Sequence, residues 1–114
     1  MRSHQIATAH PTAQDIAWAA GLFEGEGYCY LPQHRQDRRY YPARAQVTQK
    51  DTWLLHRFLA LFGGSIGKGN NGTSVWYCYG ARANGFLMTI YKFLSPRRQA
   101  QVRYTLAGIP QIKT

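Results

Sequence analysis

The sequence predicts an α+β domain in which four antiparallel strands carry helices on one face, followed by a further helix. Three observations lead there. Segments of helical period alternate with pairs of short period-two segments, in the order helix, two strands, helix, two strands, helix, helix. The second strand pair is joined by Asn70-Asn71-Gly72, a tight hairpin turn, which makes its strands antiparallel. Apolar residues alternate along the strands with Tyr, Arg, Gln and Lys, so one sheet face is covered and the other is left open. With 114 residues, 45% of them apolar, the chain suits a single core. We read residues 1–11 as a flexible or loosely docked arm and 12–114 as one domain.

The elements follow in order. Thr12 is a good N-cap and Asp15, three residues on, makes a capping-box variant. The helix it starts is expected to end near Glu24, because Gly25 and Gly27 propagate a helix poorly. Ala17, Ala19, Ala20 and Gly21 lie on more than one face of it and allow another backbone to approach closely. Residues 27–31 form a strand with Tyr28 and Tyr30 on one side and Cys29 and Leu31 on the other. Residues 32–41 are a polar loop holding His34, Arg35, Arg38 and Arg39. In the strand over 43–50, Ala43, Ala45 and Val47 face the core, and Arg44, Gln46 and Thr48 face out.

Asp51 caps a second helix over 52–62, whose Trp53, Leu54, Leu55, Phe58, Leu59, Leu61 and Phe62 are expected in the core, with His56 and Arg57 outside. Gly63-Gly64 ends it. A hairpin of strands 65–70 and 73–79 follows. Trp76 and Cys78 point inward, and Val75, Tyr77 and Tyr79 outward beside Lys68 and Asn70. Tyr77-Cys78-Tyr79 repeats Tyr28-Cys29-Tyr30. A third helix over 82–94 buries Phe86, Leu87, Ile90, Tyr91 and Leu94. Ser95-Pro96 is an N-cap followed by proline at the first helical position. The fourth helix carries Arg97, Arg98, Gln99, Gln101 and Arg103 to about Ala107.

Fourteen Lys and Arg against five acids give a formal net charge of +9 and a pI near 10.0, which points to a polyanionic partner. The charges are spread among Tyr, Gln and Asn in strand-like segments rather than along one amphipathic helix. That interleaving suits phosphate and base-edge contacts and argues against a membrane surface. No run approaches the length of a membrane span, and residues 1–10 lack the apolar stretch of a secretory signal. Cys29 and Cys78 have no metal-type spacing and suit buried free thiols in a reducing compartment. The expected location is intracellular, in cytoplasm or an organelle matrix.

Against this charge stands the stretch from Ala17 to Gly27, which holds two of the five acids, Glu24 and Glu26, between glycines at a helix C-terminus. The helix dipole disfavours negative charge there by a few tenths to about 1 kcal/mol. A divalent cation would offset that cost. Glu26, a hard oxygen donor, suits Mg²⁺ or another divalent cation. One carboxylate is a thin ligand set, and two chains meeting through the Ala/Gly helix would bring two together.

Ala19-Ala20-Gly21-Leu22-Phe23-Glu24-Gly25-Glu26-Gly27 resembles the signature of the LAGLIDADG homing endonucleases, with Glu for both acids. The element order matches that family's αββαββα core, with a four-stranded saddle sheet, plus the trailing helix. Gln46-Val47-Thr48-Gln49-Lys50 resembles the second-strand segment of its single-motif, homodimeric members. The likeness covers nearly all the chain after residue 11, and one motif copy implies a homodimer.

The resemblance implies the following roles. Glu26 is the metal-binding catalytic carboxylate, and the Gly25 carbonyl is a further metal ligand. Gln49 positions water or metal. Arg97, with Arg98 close behind, stands where the family usually has Lys at the start of the last helix; Arg cannot readily carry a proton, so its role would be electrostatic. Glu24 shapes the helix end. Ala17, Ala20, Gly21 and Glu24 lie at the dimer seam. Tyr28, Tyr30, His34, Arg44, Gln46, Lys68, Asn70 and Tyr77 face DNA. The implied activity is site-specific hydrolysis of both strands of a long, roughly palindromic duplex site, leaving 3′ overhangs. The alternative is a non-cleaving DNA- or RNA-binding protein on the same fold, an intron maturase or a regulator, whose partner would include intron RNA.

Overall fold

The structure, a computed structural model, describes residues 6–32 and 42–108. His34 and the loop arginines Arg35, Arg38 and Arg39 lie outside the described residues. Helix α1 (Ala13–Glu26) begins at the expected cap. The Asp15 N–H donates to Thr12 Oγ1 at 3.1 Å, and the Thr12 N–H donates to the Asp15 carboxylate at 2.9 Å. It runs on past Glu24, the expected end, because the Gly27 N–H closes the last turn on the Phe23 carbonyl. Gly25 inside the helix costs about 1 kcal/mol, which burial of the Phe23 ring, worth about 1.5–3 kcal/mol, outweighs.

Strands β1 (Gly27–Tyr30) and β2 (Arg44–Gln49) follow, then α2 (Thr52–Phe62), β3 (Ser65–Lys68), β4 (Ser74–Tyr79), α3 (Gly80–Ile90), a 3₁₀ turn (Tyr91–Phe93) and α4 (Pro96–Leu106). Sheet order is β1-β2-β4-β3, all antiparallel. Cys29, Ala45 and Cys78 form one cross-strand row, and Gly27, Val47 and Trp76 the next. Both rows are buried on the helix side. There Phe58, Trp76 and Phe86 meet with centroids 5.0 to 5.9 Å apart, and Phe23 joins Phe86 at 5.7 Å. The Trp76 indole N–H donates to the Gly63 carbonyl at 2.7 Å, which satisfies the only polar atom that ring brings inside. Helix α4 packs on β1 through Val102 and Thr105. Burial pushes the Cys29 thiol up to about 11 and the Cys78 thiol up to about 12, so both are inert at neutral pH.

Several expectations are corrected. Trp53 is 63% exposed. At 3.6 residues per turn it stands about 160° round α2 from the buried Leu55, on the wet side. Lys68 pairs with Ser74, in the register that puts Ile66 against Trp76, so it shares the helix-side parity and does not stand beside Tyr77. Ala20 is 1% exposed and belongs to the core of its own chain, so its side chain is not at an outer seam. Helix α3 starts at Gly80 and ends at Ile90, earlier than expected at both ends. Apart from these corrections, Thr8 and Ala9 of the N-terminal arm, expected to be flexible or loosely docked, donate their N–H groups to the Ala60 carbonyl at 2.9 and 3.1 Å. Among the described residues no helix is long and apolar enough to cross a membrane.

Candidate nucleic-acid interface

The open sheet face is set by the period-two pattern of β1, β2 and β4. The register aligns Tyr28, Gln46 and Tyr77 in one cross-strand row and Tyr30, Arg44 and Tyr79 in the next. The repeated Tyr-Cys-Tyr thus flanks β2 in matched register, cysteines inward and tyrosines outward. The Tyr28 and Tyr30 rings lie 5.4 Å apart, and Tyr77 and Tyr79 lie 5.8 Å apart. The Arg44 guanidinium stands 4.4 Å from the Tyr77 ring centroid and 5.2 Å from that of Tyr79. Its Nε–H donates to Gln46 Oε1 at 2.8 Å, and its Nη1 donates to the Tyr79 hydroxyl. Asn70 is at the exposed tip of the β3–β4 turn, where its carbonyl accepts from the Thr73 N–H at 3.1 Å. Asn71 and Gly72 both have left-handed φ, 56° and 77°, as the tight turn requires.

The sheet ends beside three of the residues proposed for catalysis. Glu26 is the last residue of α1 and is exposed, with no side-chain partner among the described residues. Gln49 closes β2 just beyond the Gly27–Val47 pair, so it lies at the same end as Glu26. Pairing with Ser74 puts it on the helix-side parity, off the outward tyrosine rows. Arg97 is in the first turn of α4, 72% exposed, with Nη2 3.9 Å from the Glu24 carboxylate.

Glu24 anchors this corner. Its carboxylate accepts from the Ser95 N–H and the Ser95 hydroxyl, both at 2.8 Å. Burial alone would raise its pKa, but the two Ser95 hydrogen bonds and the charges of Arg98 and Arg97 together hold it below the ordinary carboxylate value. Arg98, nearly buried, donates from Nε to the Glu24 carbonyl at 3.2 Å and from Nη1 to Gln101 at 2.8 Å. Of the two arginines, then, Arg98 ties α4 to the end of α1 and Arg97 is the one presented outward. The last turn of α1 contains no basic residue of its own, so this cation from α4 answers the helix dipole.

Along α1, Ala17, Gly21 and Gly25 are exposed on one stripe, and a Cβ built on either glycine meets nothing within 4 Å. Among the described residues no three His, Cys, Asp or Glu gather as a metal-binding group. Glu26 and the open carbonyls at the end of α1 are hard oxygen donors of the kind a divalent cation takes, without making a closed site.

No protein-family model matches the chain, and no curated protein matches it. Solved structures do. The homing endonuclease I-CvuI, in complex with its target in the presence of Ca, superposes with a TM-score of 0.72 at 22% identity, over 82% of this chain and 64% of that one. The group I intron-encoded homing endonuclease I-CeuI, complexed with DNA, gives 0.65 at 21% identity, over 90% of this chain and 56% of that one. I-TnaI gives 0.58 at 16% identity, over 81% of this chain and 69% of that one. The chain has the LAGLIDADG homing-endonuclease fold.

Within that fold, the chain spans under two thirds of the length of the I-CvuI and I-CeuI chains. Sequence reasoning missed two residues of the region. Tyr79 shares the outward parity of Tyr77, a visible signal, but only the sheet order shows that Arg44 lies against it. Ser95 was read as a helix cap. It caps α4, its Oγ accepting from the Arg98 N–H at 3.3 Å, and also engages Glu24 across 71 residues of chain, a contact local patterns do not encode.

Proposed function

We propose that two copies of this chain form a divalent-metal-dependent, site-specific DNA endonuclease that hydrolyses both strands of a roughly palindromic duplex and leaves 3′ overhangs. The observation that carries it is Glu26: an exposed carboxylate with no side-chain partner among the described residues, at the end of a helix and at the edge of a sheet face built from tyrosine, arginine and glutamine. A helix end gives that side chain a fixed direction, and the fold likeness to homing endonucleases crystallised with DNA supports duplex DNA as the partner.

The residues divide the work as follows. Glu26 holds Mg²⁺ or another divalent cation. The Gly25 carbonyl assists from the open last turn of α1, where the Phe23 and Glu24 carbonyls are taken up by the Gly27 N–H and Arg98. When bound, such an ion polarises the scissile phosphate and acidifies water. Gln49 orients water at the same end of the sheet. Arg97, exposed in the first turn of α4 beside the Glu24 carboxylate, offsets negative charge on the phosphate without transferring a proton. The exposed Ala17–Gly21–Gly25 stripe packs against its copy in the partner chain and brings the two Glu26 residues together. Tyr28, Tyr30, Arg44, Gln46 and Tyr77 contact the duplex.

The test is plasmid cleavage on a library of degenerate target sites with Mg²⁺, comparing the unsubstituted chain with Glu26→Gln. We expect cutting by the first and a loss of roughly a hundredfold or more in the second, in line with removal of a metal-holding group. Equal cutting by both would sink the mechanism. Tight binding without cutting by the unsubstituted chain would replace it with the non-cleaving binder, a maturase or regulator.

A further inference from the structure

Arg44 and Gln46 are successive outward residues of β2, and by residue type alone Arg suits guanine and Gln suits adenine. Their geometry does not treat them as independent readers. Arginine Nε carries only a proton, so the Gln46 atom 2.8 Å from it is necessarily the amide oxygen. A bidentate contact to adenine needs that oxygen to accept from the base N6 while the amide nitrogen donates to N7. Here the oxygen already accepts from Arg44, so the orientation of the amide is set by the arginine before any base arrives.

Arg44 is held as firmly. Of the five N–H donors of a guanidinium, one on Nε goes to Gln46 and one on Nη1 to the Tyr79 hydroxyl. The plane rests against Tyr77 at 4.4 Å and Tyr79 at 5.2 Å, attracted by both ring faces. Its second terminal nitrogen, Nη2, has no partner among the described residues. The rest of the guanidinium edge is thus free to donate, from a side chain whose rotamer freedom is already spent.

We infer that Arg44, Gln46, Tyr77 and Tyr79 form one reading head for guanine, in which the Arg44 guanidinium touches the base and Gln46 is its positioning residue rather than a reader of adenine. This rests on the DNA-binding function proposed above and names a base class for it. In the major groove only guanine presents two acceptors side by side, O6 and N7. Adenine and cytosine would each set an amino donor against the guanidinium, and thymine offers a single acceptor beside a methyl group. A homodimer would carry the head twice, so the guanine falls at one symmetry-related position in each half-site.

The experiment is binding selection from a randomised palindromic duplex library, with the full chain carrying Glu26→Gln so that captured DNA is not cut. We expect guanine enriched roughly tenfold or more at one position per half-site, the discrimination of one bidentate contact. Arg44→Ala should flatten that position alone. Arg44→Lys, which keeps the charge without the fork, should flatten it with less loss of total affinity. Gln46→Ala should weaken guanine at the same position and remove no adenine elsewhere. Gln46→Glu keeps an acceptor for Nε, and should retain the guanine preference at lower affinity. Thermal melting of each variant separates lost reading from lost folding. Loss of an adenine preference in Gln46→Ala, or an unchanged profile in both Arg44 variants, would overturn the reading head and leave DNA binding standing. No duplex enriched by the parent chain would overturn DNA binding itself.

Discussion

Glu24 accepts two hydrogen bonds from Ser95, whereas Glu26, one turn-end further, faces solvent with no partner among the described residues. The same residue type at neighbouring positions therefore serves structure in one case and is available for chemistry in the other. The depressed Glu24 has a consequence for stability. Its folded-state pKa lies below the unfolded value, so the folded chain binds fewer protons, and the stabilisation is fully present above the ordinary carboxylate value of the unfolded chain. It is lost as pH falls through the lower, folded-state value. Asp15 acts in the same direction, held low first by the Thr12 N–H and then by Arg57. Melting temperature should accordingly fall with pH in the acid range. Glu24→Gln should be less stable near pH 7 and show a shallower acid slope, checked by thermal melts from pH 7 to pH 3. An unchanged slope would show that the Ser95 clamp contributes nothing.

At the scale of elements, the helices and strands are held in place by a few close approaches. Gly64 leads from α2 into β3 with φ of +104°, and an added Cβ would meet the Tyr77 carbonyl at 2.6 Å. Gly21, in mid-α1, has open space where a Cβ would stand. Alanine should therefore have opposite effects on the isolated chain. Gly64→Ala should destabilise it by about 1–3 kcal/mol through backbone strain. Gly21→Ala should stabilise it by up to about 1 kcal/mol through helix propensity. Urea unfolding of both variants at low concentration measures this, and a destabilised Gly21→Ala monomer would mean that the stripe is packed within its own chain. Trp53 belongs to this scale as well. Its hydrophobicity places it in the core by composition, and its angular position on α2 places it outside.

For the whole molecule, charge and shape act together. A +9 chain whose open sheet face carries Arg44 among Tyr28, Tyr30, Tyr77 and Tyr79 presents a polyanion with both a field and a docking surface. Pairing along α1 would double the charge and lengthen the surface. Binding to duplex DNA should therefore weaken by about a thousandfold or more between 50 and 200 mM salt, as counterion release demands when roughly six or more phosphates are neutralised. Fluorescence anisotropy across that salt range tests it, and sedimentation of the complex tests the two-to-one stoichiometry. A flat salt response would show that the basic residues do not meet phosphate.

Local chemistry was enough to determine the helix starts at Thr12, Asp51 and Ser95, the hairpin turn at Asn71-Gly72, the inward and outward faces of β2 and β4, and the motif that names the fold. Each depends on residues within a few positions of one another, so a linear reading captures it. Three things needed the folded chain: the face of Lys68, the burial of Ala20, and the coupling of Gln46 to Arg44 beneath Tyr77 and Tyr79. The strand order β1-β2-β4-β3, which sets Arg44 against a strand 35 residues away, is decided by packing over the whole sheet. The division at α1's end is of the same kind. The sequence places two acids there, and only the return of α4, bringing Ser95 and Arg98 against Glu24, separates the structural carboxylate from the exposed one.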